Sequence, residues 1–141
     1  MTPPVMRPRD KRSTAAALQF LREAAGELIA AEQQRLEAMR WISSGSVDPL
    51  KALDALAAHR RGQEAADAAL AKYMASLRLA GISAHAIGRA QRTRTATVAA
   101  RTDAHPEARR IRHARGADIK KSSTGYVIQP PAPRSTVTEE L

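Results

Sequence analysis

From residue 14 to residue 80 a helical pattern is cleanly broken once, by Ser43-Ser44-Gly45-Ser46 followed by Asp48-Pro49. That break constrains the fold more than any other feature. Leu18, Leu21, Ala25, Leu28, Leu36, Met39 and Ile42 recur mostly at steps of three and four, which gives one apolar stripe on a helix over 14–43. Asp48 caps the next helix, and Pro49 fits its first position because the missing N–H would be unpaired there anyway. Leu50, Leu53, Leu56 or Ala57, Leu70, Met74 and Leu77 carry the stripe on to Gly81, which sits where a C-cap glycine would. Gly26 weakens the first helix locally, and Gly62 is a candidate bend in the second. Two long helices joined by a short turn predict an antiparallel hairpin.

The core of such a hairpin is poor in bulk. Aromatic residues make up 3% of the 141-residue chain: Phe20, Trp41, Tyr73 and Tyr126. Ala, Leu, Ile and Met must do the packing, and alanine buries little area, so a lone hairpin of this composition is marginal and self-association is expected. Trp41 is expected to cover the hairpin end. Ser13 or Thr14 is the expected N-cap of the first helix.

Charge is unevenly spread. The net charge is +9, and residues 85–121 hold 10 bases against 3 acids. From Ala68 to Thr102 there is no Asp or Glu, while Lys72, Arg78, Arg89, Arg92, Arg94 and Arg101 fall inside. An ordinary solvated face mixes signs, so this window reads as a surface for a polyanion.

Within the window, Ser83 caps a short helix to about Ala90, and another helix runs from about Thr93 or Arg94 to Arg101. Ser83, Ile87, Gly88, Arg89, Ala90, Thr97 and Val98 resemble the helix-turn-helix of bacterial DNA-binding proteins: a capping Ser, Ile-Gly or Ile-Ala in the first helix, Thr-Val in the second. Ile87 and Val98 are expected to pack the two helices together and onto the preceding one, with Gly88 permitting a close crossing. The departure lies in the turn. Gln91, Arg92, Thr93 and Arg94 stand where that family has an apolar residue, a glycine, an apolar residue and a capping Ser or Thr, so Arg92 must take the turn conformation without glycine's freedom, or Thr93 caps with the turn shifted. The resemblance implies double-stranded DNA as partner. Arg94, Thr95, Thr97 and Arg101 are then the base-contacting candidates and Arg89 and Arg92 the phosphate contacts. Arg109, Arg110, Arg112 and Arg115, on a basic helix that His105-Pro106 starts and Gly116 ends, add phosphate contacts.

The remaining readings are mostly exclusions. No cysteine is present, which excludes disulfides and thiolate metal sites and is compatible with a reducing cytoplasm. His59, His85, His105 and His113 lack metal-ligand spacing, no glycine-rich phosphate loop or nucleophile elbow occurs, and neither cofactor, metal nor enzyme activity is expected. Glu23 and Glu27, one turn apart, can hold a cation, though a solvated helix face is the ordinary reading. No apolar run approaches the roughly 18 residues a membrane span needs.

The expected architecture is all-α: a basic arm at 1–13, a helical hairpin at 14–80, the helix-turn-helix-like unit at 81–103, the basic helix at 104–116, and a polar tail at 117–141 in which Tyr126-Val127-Ile128 is a possible short strand or docking motif. The arm and tail are expected to be disordered. The expected function is DNA binding as a homodimer, with reading helices about 34 Å apart, in a small transcriptional regulator or a phage or mobile-element accessory protein. The alternative is a helical adaptor of an assembly, such as a phage component, whose basic segment touches nucleic acid nonspecifically or docks on an acidic partner.

Overall fold

The computed structural model describes residues 10–45 and 48–129. Among the described residues five helices and one small sheet follow in chain order: α1 (Lys11–Ser44), α2 (Pro49–Leu79), α3 (Ala84–Gln91), α4 (Thr95–Asp103), α5 (Pro106–Arg112), then a 3-10 turn (Gly116–Asp118) leading into β1 (Ile119–Ser122) and β2 (Gly125–Ile128). The mostly helical class follows the sequence pattern. Residues 1–9 of the expected basic arm and 130–141 of the expected tail lie outside the described residues.

α1 and α2 form the antiparallel hairpin. α1 begins earlier than expected because Asp10, not Ser13 or Thr14, is its cap: the Asp10 carboxylate accepts from Ser13 N at 2.8 Å and from Ser13 Oγ at 2.9 Å. Residues 10–13 are therefore cap and helix rather than arm. Asp48 caps α2 through Leu50 N at 3.0 Å, with Pro49 in the first turn. Gly62 is no bend. A Cβ there would stand 2.8 Å from Arg35 Cβ, so the glycine lets α1 and α2 approach closely at mid-hairpin.

The packing stripe differs from the leucine line. On α1 the buried residues are Ser13, Ala16, Ala17, Phe20, Ala24 and Ala31, and on α2 Ala55, Ala66, Ala69, Ala71, Ala75 and Leu79 are among them. Alanines face inward and bring the helices close, while Leu18, Leu36, Leu50, Leu53 and Leu56 are exposed. Trp41 does not cover the hairpin end; it is 75% exposed.

The cores gather where further elements cover the hairpin. Ala16, Ala17 and Phe20 of α1 meet Ala71, Ala75 and Leu79 of α2, Ala108 and Ile111 of α5, and Ile119 of β1, with Tyr126 and Ile128 against them. A second cluster joins Met74 of α2 to Ile87 and Val98, flanked by Leu70, Leu77 and Ile82.

The segment after Gly116 corrects the expected tail. β1 and β2 pair antiparallel, Ile119 opposite Ile128 and Lys121 opposite Tyr126. Ile119 is completely buried. The Gln19 amide holds β2 to α1 by serving both backbone groups of one residue: its Oε1 accepts from Tyr126 N at 2.7 Å and its Nε2 donates to Tyr126 O at 3.0 Å. Arg12 Nη1 adds a donation to Ile119 O at 3.3 Å. Of the two readings of Tyr126-Val127-Ile128, the strand is correct. No helix among the described residues is long and apolar enough to cross a membrane.

Candidate nucleic-acid interface

α3, the turn after it and α4 pack as a pair of short helices on the C-terminal half of α2. Ser83 caps α3 as its sequence position implies, its Oγ accepting from Ala86 N at 3.1 Å. Ile87 and Val98 are buried together against Met74, so the two short helices and the preceding one meet as expected. Thr102 closes the inner side of α4, its buried hydroxyl donating to Val98 O at 2.8 Å.

The turn is built around Arg92. Its backbone sits at φ 56°, ψ 44°, the left-handed region that helix-ending glycines favour. A side-chain-bearing residue there costs about 1–2 kcal/mol. Thr93 N then donates to Gly88 O at 2.8 Å. A Cβ at Gly88 would stand 2.8 Å from Thr93 O, so the small residue admits the returning turn rather than a crossing helix. Thr93 is not the cap of α4; Arg94 is, with no side-chain hydrogen bond to the helix. Thr93 Oγ1 is buried and finds no partner among the described residues.

This corner concentrates uncompensated positive charge. α4 has no acid in its first turn and a cation at its cap, at the end where the helix dipole is itself positive. Arg89, Arg92 and Arg94 are exposed, and their side chains form no ion pair with the described residues. Backbone N–H groups at an open helix N-terminus are ready anion ligands.

The other expected base contacts divide. Arg94, Thr97 and Arg101, at steps of three and four, share one flank of α4. Thr95 belongs instead to the line of Val98 and Thr102, which turns inward, although Thr95 itself is exposed at the helix start. Arg101 borders a shallow depression with Gln63, Asp67 and Leu70 of α2. Ala96 and Ala100 lie on the side of α4 opposite the buried line and are exposed. The outer face thus presents methyl groups in its centre and cations at its edge.

The phosphate candidates on α5 also separate. Arg112 is already occupied, with Nη1 at 2.6 and 2.5 Å from the two Asp103 oxygens. That hydrogen bond, with the guanidinium charge, holds the Asp103 carboxyl below the usual carboxylate range. Arg110 borders a pocket on the other side of α5, shared with Gln19, Phe20, Glu23 and Tyr126. Arg109 and Arg115 are exposed. α5 itself ends at Arg112, four residues short of Gly116.

Lys72 leaves the basic surface altogether. Its side chain is 5% exposed, and its Nζ lies 3.1 Å from Glu23, 3.0 Å from Glu27 and 3.2 Å from Glu107. Burial alone would push its pKa down; hydrogen bonds to Glu27, Glu23 and Glu107 outweigh it, and the pKa stands above the ordinary lysine value. Glu23 and Glu27 do hold a cation, and the cation is this ammonium, which ties α1, α2 and α5 together. The sequence signal was present: one lysine amid Ala71, Tyr73, Met74 and Ala75 on a helix, opposite two glutamates one turn apart.

Among the described residues no group of three or more His, Asp or Glu is placed to hold a metal ion. No family model matches this chain, and neither a curated protein nor a solved structure does.

Proposed function

We propose that the chain binds double-stranded DNA through α3 and α4, with the turn seated on the phosphate backbone. One observation carries the reading. A strained left-handed position that glycine would fill at lower cost is given to Arg92, next to Arg94 at the uncapped, acid-free start of α4. Strain that places a cation beside an open helix N-terminus makes sense for a phosphate ligand. The alanine-faced outer side of α4 can lie close to a groove floor, with Arg94, Thr97 and Arg101 along one edge. Affinity then comes mainly from backbone contacts, and base reading is confined to Arg94, Thr95 and that edge. A small regulator or a phage or mobile-element accessory protein fits this role.

The test is fluorescence anisotropy with random duplexes at about 150 mM salt, where weak surface attraction is screened, followed by sequencing of the bound fraction. Arg92→Gly and Arg94→Ala should each weaken binding about tenfold and lower the salt slope by about one. An enriched inverted repeat supports the regulator. Absence of binding at about 10 µM, a concentration above typical specific affinities, overturns the proposal.

A second reading, a helical component of a larger assembly, is favoured by one observation: Trp41, Leu50, Leu53 and Leu56 crowd the far end of the hairpin in the open.

A further inference from the structure

α1 carries a second apolar line on the side away from α2. Leu18, Ile29 and Leu36 are 50%, 59% and 43% exposed. Joined by Arg22, Ala25 and Glu32 they recur at alternating steps of four and three from residue 18 to residue 36. That is the seam spacing of a coiled coil, and it spans about 27 Å of helix. The buried line of Ala16, Ala17, Phe20, Ala24 and Ala31 faces the other way, into the hairpin. The β1–β2 hairpin grips α1 at Arg12 and Gln19, on its flank, and leaves Leu18, Arg22, Ile29 and Leu36 exposed, with Ala25 and Glu32 half-buried between them.

The order of residues along the seam says what covers it. Read from either end it complements itself about a point at residue 27. In an antiparallel pair, Leu18 meets Leu36 of the second copy, Arg22 meets Glu32, and Ala25 meets Ile29. Leucine lies on leucine at both ends, opposite charges meet inside them, and a small residue receives a large one at the middle. A parallel pair would set Arg22 on Arg22 and Glu32 on Glu32. A twofold axis demands this self-complementarity from a single patch. Glu32 is also positioned in advance, bonded to Arg35 at 3.1 Å while Arg35 Nε donates to His59 at 2.9 Å. A charge pair within an apolar seam sets register and direction more than it adds stability.

We propose that α1 is an antiparallel homodimerisation helix whose register is set by reciprocal Arg22–Glu32 pairs between two copies of this chain. The proposal is independent of DNA binding, and either can fail alone. The test is sedimentation velocity on the full chain and three variants, each checked for helicity by circular dichroism. The unaltered chain should be a dimer at about 100 µM, within reach of a modest self-affinity. Arg22→Glu makes the seam wholly acidic and Glu32→Arg makes it wholly basic. Each alone should dissociate at least about 100-fold more readily, since like charges then meet twice per dimer. An equimolar mixture of those two variants should re-form a dimer, as should the chain carrying both changes. Dimers that survive either single change, a mixture or double variant that stays monomeric, or an unaltered chain that is monomeric throughout would overturn the proposal.

Discussion

The two ends of one helical hairpin differ sharply in their surroundings. Near the start of α1 and the end of α2, added elements cover two sides of the pair: α5 and the β-hairpin lie on one, α3 and α4 on another, and Lys72 locks three helices together. At the far end, around Trp41 and Leu50, the same two helices stand with large apolar side chains in water. The interior of the hairpin is mostly alanine along its length, with Phe20, Met74 and Leu79 buried only at the covered end. Alanine sets a close helix spacing but contributes little burial, so the stability of the near end comes from the elements added on top of it. The lesson is that a leucine in this chain says less about the hairpin's own interior than about what lies against its outside.

The largest way to break the comparison is to remove one large side chain from each end. Leu79→Ala should cost about 2–5 kcal/mol, because it empties a site where α1, α2, α5 and β1 converge. Leu53→Ala, on the exposed end, should change the stability of a single chain by less than about 0.5 kcal/mol. Chemical denaturation measures both; equal losses would show that the far end is covered too.

Next comes the Lys72 clamp. Lys72→Met should destabilise by about 2 kcal/mol, a modest figure for a buried charge because its carboxylate partners remain about half exposed. Its pH dependence gives a sharper signature. The folded pKa lies above the ordinary 10.5, so the clamp contributes fully below that pH and its contribution is lost as pH rises through the folded value. Thermal melts above about pH 10.5 should fall for the natural chain and flatten in Lys72→Met.

Smaller effects probe the turn. Arg92→Gly should stabilise the fold by about 1 kcal/mol as the left-handed strain is relieved. It should weaken DNA binding at the same time, and opposite signs in the melt and the titration would separate strain from function. Thr93→Val should be smallest, neutral or stabilising by about 0.5 kcal/mol, since it removes a buried hydroxyl that bonds to nothing described.

What the sequence revealed depended on whether the governing force was local. Ser83, the pair Asp48-Pro49 and Gly81 mark helix ends through backbone hydrogen bonding within a few residues, and all three stand where they should. Ile87 and Val98 were legible because their spacing on two short helices leaves them one place to meet. Arg92 could be read because the turn geometry requires a left-handed residue whatever its side chain. The leucine stripe misled because two apolar lines share α1, and periodicity cannot say which of them faces the partner helix. Lys72 counted as surface charge because its glutamates come from elements 45 or more residues away or from a separate helix. The β-hairpin was nearly invisible: Ile119 and Ile128 are too few to make a pattern, and what fixes them is a glutamine on the first helix.

That glutamine ties together segments 107 residues apart. A chain is synthesised from its N-terminus, at roughly 5–20 residues per second. Of the described elements α1 therefore emerges first and β2 last, and Ala16, Ala17 and Phe20 wait through the making of the elements between for the strands that seal them.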